Sequence, residues 1–210
     1  MSKMSLKNNY DAILNFWLGD LNDNQLIDQK NPIVRRWFSK DKKFDDTIRL
    51  EFEKDLIRGR QGEYKNWEQF PRGRLALVIL FDQFSRNIYR DTPQMFDTDS
   101  LALDLALRSI HEGVDLDLGL IERIFLYMPL EHSENINHQQ LSLRQFKGLL
   151  LESQKQCPQN APYFQYSFNY AQRHHDIIAQ FNRFPHRNKI LGRSSTSEEL
   201  VFLKNANSSF

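Results

Sequence analysis

Apolar residues recur three and four apart along most of the chain, and no stretch sustains the alternation that a half-buried strand requires. This spacing predicts an all-α fold, a helical array of seven or eight helices. Ala12, Ile13, Phe16 and Trp17 mark the inner side of a first helix over about 11–18, stopped by Gly19. Asn31 followed by Pro32 supplies an N-cap and a first-turn proline for a second. Phe44, Ile48, Phe52 and Leu56 stand four apart on a third, a narrow stripe that must face a partner before the chain breaks near Gly59.

Between about 74 and 89 the pattern changes. Leu75 to Phe81 are apolar on every side, so this segment is expected to be the central, enclosed helix. Asp91, Thr92 and Pro93 break it, and the next helix, over about 99–111, places Leu101, Ala102, Leu105, Ala106 and Ile110 inward. A helix over about 118–128 is expected to end or kink at Pro129, which lacks an N–H and crowds the preceding turn. Ser133 stands where it would cap the following helix, which carries Ile136, Leu143, Phe146 and Leu150 and ends before Pro158. Pro162 opens a long helix with Phe164, Phe168, Ala171, His175 and Ile178 on one face. Thr196 and Glu199 form the capping box of a last helix expected to bury Leu200 and Leu203. The gaps are short, so the chain reads as one compact domain over 1–210, with polar tails at about 1–9 and 205–210.

Charge narrows the function classes. Across 210 residues, 28 Lys and Arg face 27 Asp and Glu, a formal charge of +1. Broad attraction to nucleic acid or to an anionic membrane is therefore not expected, while a local basic pocket is allowed. Cys157 is the only cysteine and has no CxxC partner, which suits a reducing compartment, and the cytoplasm is the expected location. The first ten residues are polar, and the longest apolar run, Leu75 to Phe81, is too short to span a bilayer, so no membrane insertion is expected. The oligomeric state is open.

Candidate chemistry falls in three places. Asp82 and Arg86 sit one turn apart on the central helix, followed by Asn87. They read either as an anchoring salt bridge or as the wall of a cleft in which Asp82 orients the guanidinium. Glu131, His132 and Glu134 follow Pro129, and a carboxylate beside an imidazole is acid–base machinery if it is not simply a satisfied corner. No HExxH or other metal-ligand spacing occurs, so no metal and no cofactor are expected. The densest segment holds Arg183, His186, Arg187, Asn188 and Arg193 directly before the last helix. Such cations can cap the long helix, or join the positive end of the next helix around an anion, although the capping box competes for the same backbone donors. His174 and His175 complete the set: His175 reads as a core residue on the apolar stripe, and His174 as the more interesting of the two.

The strings from Leu80 to Asn87, from Tyr127 to Glu134, and from Arg183 to Asn188 with Leu191-Gly192-Arg193 and Ser195-Thr196 closely resemble an uncharacterised bacterial family, domain of unknown function 924. The resemblance runs from Phe16 and Trp17 to Phe202 and Leu203 and implies an all-helical, tetratricopeptide-like fold, with no agreed activity. It departs at Asn182, where a glycine is expected; asparagine tolerates a left-handed backbone better than most residues.

Two functions are compatible with these residues. One is a binder or enzyme for a small phosphate- or carboxylate-bearing molecule, in which Arg86, Asn87, Arg183, His186, Arg187, Asn188 and Arg193 recognise the anion, with His186, His174, Asp82, Glu131 and His132 the proton-transfer candidates. The other is a module that clamps an acidic peptide. A closed pocket favours the first, an open groove the second.

Overall fold

Helices stand where the apolar spacing places them. The computed structural model describes residues 10–28, 30–206 and 208; the expected amino-terminal tail lies outside these. Among the described residues there is no strand. The chain forms α1 (Tyr10–Leu18), α2 (Pro32–Trp37), α3 (Lys42–Arg60), α4 (Pro71–Val78), α5 (Ser85–Ile88), α6 (Asp99–Glu112), α7 (Leu120–His132), α8 (Ile136–Gln156), α9 (Ala161–Phe181) and α10 (Ser197–Phe202). α4 runs into α5 through a π-helical segment, Ile79–Phe84, so the two make one rod and the described residues hold nine rods instead of seven or eight. None is long and apolar enough to cross a membrane.

The central rod is enclosed as its composition requires: Leu75, Ala76, Val78, Ile79, Leu80, Phe84 and Ile88 have no accessible surface. Phe84 and Phe125 pack against Trp17, with ring centroids 5.5 and 5.8 Å away, and Trp37 meets Phe125 at 4.7 Å. One core runs from Ile13 to Ala171, and a small second cluster joins Ile177, Ile178 and Phe184. At Gly73 the backbone touches its neighbour so closely that a Cβ would lie 2.2 Å from the Trp67 carbonyl oxygen.

Several local expectations are corrected. Pro129 does not end its helix: α7 continues to His132. The side-chain amide of buried Gln139, on α8, donates to the carbonyls of Leu130, Glu131 and Ser133, at 3.3, 2.6 and 2.7 Å, and this tertiary contact satisfies the last turn. α8 is capped by Asn135, whose side chain accepts from Asn137 N, instead of by Ser133. Ala12, Leu101 and Leu200 are exposed, because their helices turn neighbouring residues inward. On α10 the buried residue is the capping Glu199. On α9 it is His174 that faces inward, whereas His175 bonds Asp176 near the surface.

Candidate functional site

Two conformationally unusual segments and one helix end meet around a cavity of about 390 Å³. The π-helical segment positions the first wall. Widening the turn there brings Asp82 inward, and side chains serve its carbonyls: Thr98 Oγ1 donates to Phe81 O at 2.5 Å and Arg86 Nη1 to Asp82 O at 2.8 Å. Asp82 has no accessible surface, and its carboxylate takes Arg86 at 3.0 Å and His132 Nδ1 at 2.6 Å. Burial alone would push this carboxyl up; Arg86, His132 and Gln83 outweigh it and hold the group well below the usual carboxylate range. Asp82 is therefore an ionised acceptor, and the Nδ1 of His132 must carry the proton it donates.

The end of α7 is the second wall. Burial lowers the pKa of His132 and outweighs the attraction of Asp82, leaving a neutral imidazole whose basic nitrogen is Nε2. The carboxyl of Glu131 behaves oppositely: burial and the nearby charge of Asp82 raise its pKa well above the usual range. Its Oε1 is buried and has no hydrogen-bond partner among the described residues.

The third wall is the loop after α9. Asn182 takes the left-handed conformation, φ +57°, at the helix end, so it performs the turn for which a glycine is expected. Glu134 then accepts from Phe184 N at 2.8 Å and from both arms of Arg193 at 2.7 and 2.9 Å. Arg193 Nε donates to Asn188, Asn188 to Glu199 at 3.2 Å, and Arg183 grips Glu199 at 2.6 and 2.8 Å. The same Glu199 accepts from Thr196 N in the capping box, so the donors at the start of α10 are engaged within the chain. Arg183, Asn188 and Arg193 thus shape the loop, and His186, Arg187 and Ile190 are the residues it presents to the cavity.

Arg187 is only 8% exposed, and it lies between the rings of Phe184 and Phe96, at 4.5 and 4.8 Å. Its nearest carboxylate, Asp99, is 3.9 Å away and already holds Arg86 through both arms, at 2.9 and 3.0 Å. Charge balances locally, with two arginines against Asp82 and Asp99, but hydrogen bonding does not: Arg187 Nε has no partner among the described residues. Burial and the nearby Arg86 bring its pKa down to about 10, still charged at neutral pH. Burial and Arg187 likewise lower His186 to about 4. His174, 6.1 Å from His132 between ring centroids, is pushed far down by burial and by His132 and donates through Nδ1 to Tyr170 O.

Of the residues singled out in the sequence, Arg86, Asn87, Glu131, His132, His174, His186 and Arg187 line the cavity, and Asp82 stands directly behind His132. Asn87 is turned toward Asp45, to which it donates at 2.8 Å. Sequence reasoning missed Asp99, Phe96 and the apolar half of the wall, including Tyr163, Tyr166 and Tyr170. The tyrosines carried a signal, since with Ser167 and His174 they repeat at helical spacing on α9. Among the described residues no group of three His, Cys, Asp or Glu side chains is placed to hold a metal ion.

Comparison with known proteins places this arrangement beside relatives whose activity is equally open. A family model described as a bacterial protein of unknown function (DUF924) matches residues 13–207. A solved structure from Agrobacterium tumefaciens, described as the protein of unknown function ATU0120, is 31% identical, with a TM-score of 0.75 over 94% of this chain and 97% of that one. No curated protein matches.

Proposed function

The chain belongs to the bacterial DUF924 family, and from that premise and the geometry of the cavity we propose that it binds a small molecule with one anionic end and an apolar body. The observation that carries this reading is Arg187: a buried guanidinium against two rings, with Nε unpartnered among the described residues and its nearest carboxylate committed to Arg86. A buried donor without an acceptor costs about 1–3 kcal/mol, more when it is charged. A carboxylate or phosphate entering the cavity supplies the acceptor, and supplies it in the paired geometry that guanidinium groups favour.

The apolar part of the lining argues for the apolar body. Ile124, Met128, Phe146, Tyr163, Tyr166 and Tyr170 line the same cavity as Arg187 and the histidines. Clamping of an acidic peptide by the basic loop has less support, because Arg183 and Arg193 are committed to Glu199 and Glu134.

The test uses 4-phenylbutyrate and its uncharged isostere, 4-phenylbutyramide, in a thermal-shift titration. The acid is expected to raise Tm, by the equivalent of about 2.7 kcal/mol at a hundred times Kd, and the amide to do little. Arg187→Gln should abolish the response. Equal responses to acid and amide, or an unchanged response in the variant, remove the anion site.

A further inference from the structure

The cavity holds more than an anion site requires. Asp82 pins His132 through Nδ1, which leaves Nε2 as the basic nitrogen of a residue that lines the cavity. Asp82 is itself set in a π-helical segment, an irregularity found disproportionately at functional sites. Glu131, the neighbour of His132, contributes a buried carboxyl oxygen with no partner among the described residues. Helix anchoring explains the Asp82–Arg86 pair, but it explains neither the imidazole on the other side of that carboxylate nor the isolated carboxyl beside it.

We propose that this cavity hydrolyses a carboxylic ester whose acid part carries a second, anionic carboxylate. Arg187 holds that carboxylate, His132 is the general base, Glu131 is the general acid, and Asp82 is a positioning residue for His132. The choice of substrate rests on the anion-binding reading above. Water is the nucleophile, because the serine hydroxyls on the wall are occupied: Ser167 Oγ donates to Tyr163 O at 3.1 Å and Ser39 Oγ to Arg36 O at 3.0 Å.

In the reaction, Nε2 of His132 removes a proton from water as the water oxygen bonds to the ester carbonyl carbon. The bond from that carbon to the alcohol oxygen then breaks, and the departing oxygen takes the proton of the Glu131 carboxyl. The acid and the alcohol leave, and the imidazolium returns its proton through solvent to the Glu131 carboxylate. Acid and base are thus separate groups, and the difference between their surroundings assigns the roles. Among the described residues, the charged and titratable groups acting on His132 are Asp82 and Arg86 from the central rod, His174 from α9, and His186 and Arg187 from the loop, with Glu131 its neighbour in sequence on α7.

The experiment measures hydrolysis of mono-4-nitrophenyl glutarate and mono-ethyl glutarate, with neutral 4-nitrophenyl butyrate as the uncharged comparison. The wild type should prefer the glutarate ester over the butyrate. His132→Gln should lower kcat/KM by about 100-fold or more, the size of a lost general base, while the thermal shift with 4-phenylbutyrate persists. Glu131→Gln should slow mono-ethyl glutarate by at least about 10-fold yet leave the 4-nitrophenyl ester nearly unchanged, because a good leaving group needs no acid. Asp82→Asn should lower kcat with KM within about twofold and move the acid limb of the pH profile to lower pH, since the carboxylate that favours the imidazolium is gone; a purely structural role would lower Tm and leave that limb in place. Hydrolysis no faster than buffer for all three esters, with 4-phenylbutyrate still stabilising the protein, overturns the catalytic proposal and leaves the binding site standing. Equal rates on glutarate and butyrate esters, with no shift from 4-phenylbutyrate, remove the anion site and keep the hydrolytic one.

Discussion

Arg86 and Arg187 meet over a single carboxylate and a single ring. Arg86 holds Asp99 with both arms at 2.9 and 3.0 Å, Arg187 lies 3.9 Å from the same group, and Phe96 stands under both cations at 5.8 and 4.8 Å. Both short contacts of Asp99 go to Arg86 while Arg187 stays beyond hydrogen-bond distance, so the geometry assigns this acid to Arg86. Arg187 lines the cavity, and its buried Nε has no partner among the described residues.

If Arg187 is held for a ligand, the protein without ligand carries the cost. Arg187→Met keeps a side chain between Phe96 and Phe184 and removes the buried charge. Its Tm without ligand should rise by about 2–4 °C, the equivalent of about 1 kcal/mol for a chain of this size, while the response to 4-phenylbutyrate disappears. A fall in Tm in differential scanning calorimetry would mark Arg187 as a structural cation.

Glu131 makes stability depend on pH in a defined direction. Its folded pKa is raised, so between the ordinary glutamate value of about 4.3 and the folded value the folded state binds more protons than the unfolded one, and stability falls as pH rises. Glu131→Gln stays neutral throughout. Its Tm advantage over wild type should grow from pH 4 to pH 8, and a constant difference over that range would contradict the assignment.

Glu199 has the opposite sign. Arg183 first, then Thr196 N and Asn188, hold its carboxyl down at about 2 against the effect of burial. Its contribution is present above the ordinary glutamate value and is lost as pH falls from about 4.3 through the folded value. Glu199→Gln should be less stable than wild type at pH 7, and the gap should narrow in acid unfolding followed by circular dichroism. A gap that stays the same down to pH 2 would show that the charge of Glu199 is not what matters.

At the end of α9, Asn182 sits at φ +57°. Asn182→Ala should cost about 1 kcal/mol through the left-handed backbone, whereas Asn182→Gly should match or exceed wild type. Chemical denaturation of the pair decides it: equal midpoints for the two variants would mean that the turn is not held by its dihedral angles.

Much of the fold was legible because helix positions follow from local spacing. The stripe Ile48, Phe52 and Leu56 and the enclosed run at Leu75 needed only the period of an α-helix to be read. Pro129 was misread because the partner that completes its last turn, Gln139, lies on another helix. The π-helical segment was invisible for a related reason: Ile79 to Phe84 are ordinary helix formers, and the donors that serve the widened turn include Thr98 from elsewhere in the fold.

The sequence by itself determined the all-α architecture, the boundaries of most helices and the set of charged residues from which the candidate site is drawn, since these depend on periodicity and composition. Only the tertiary structure decided which cations are consumed by Glu134, Glu199 and Asp99 and, among the described residues, that Arg187 keeps an unpartnered Nε. Ion pairing is a competition among groups brought within a few ångströms by packing, and distance along the chain carries almost no information about its outcome.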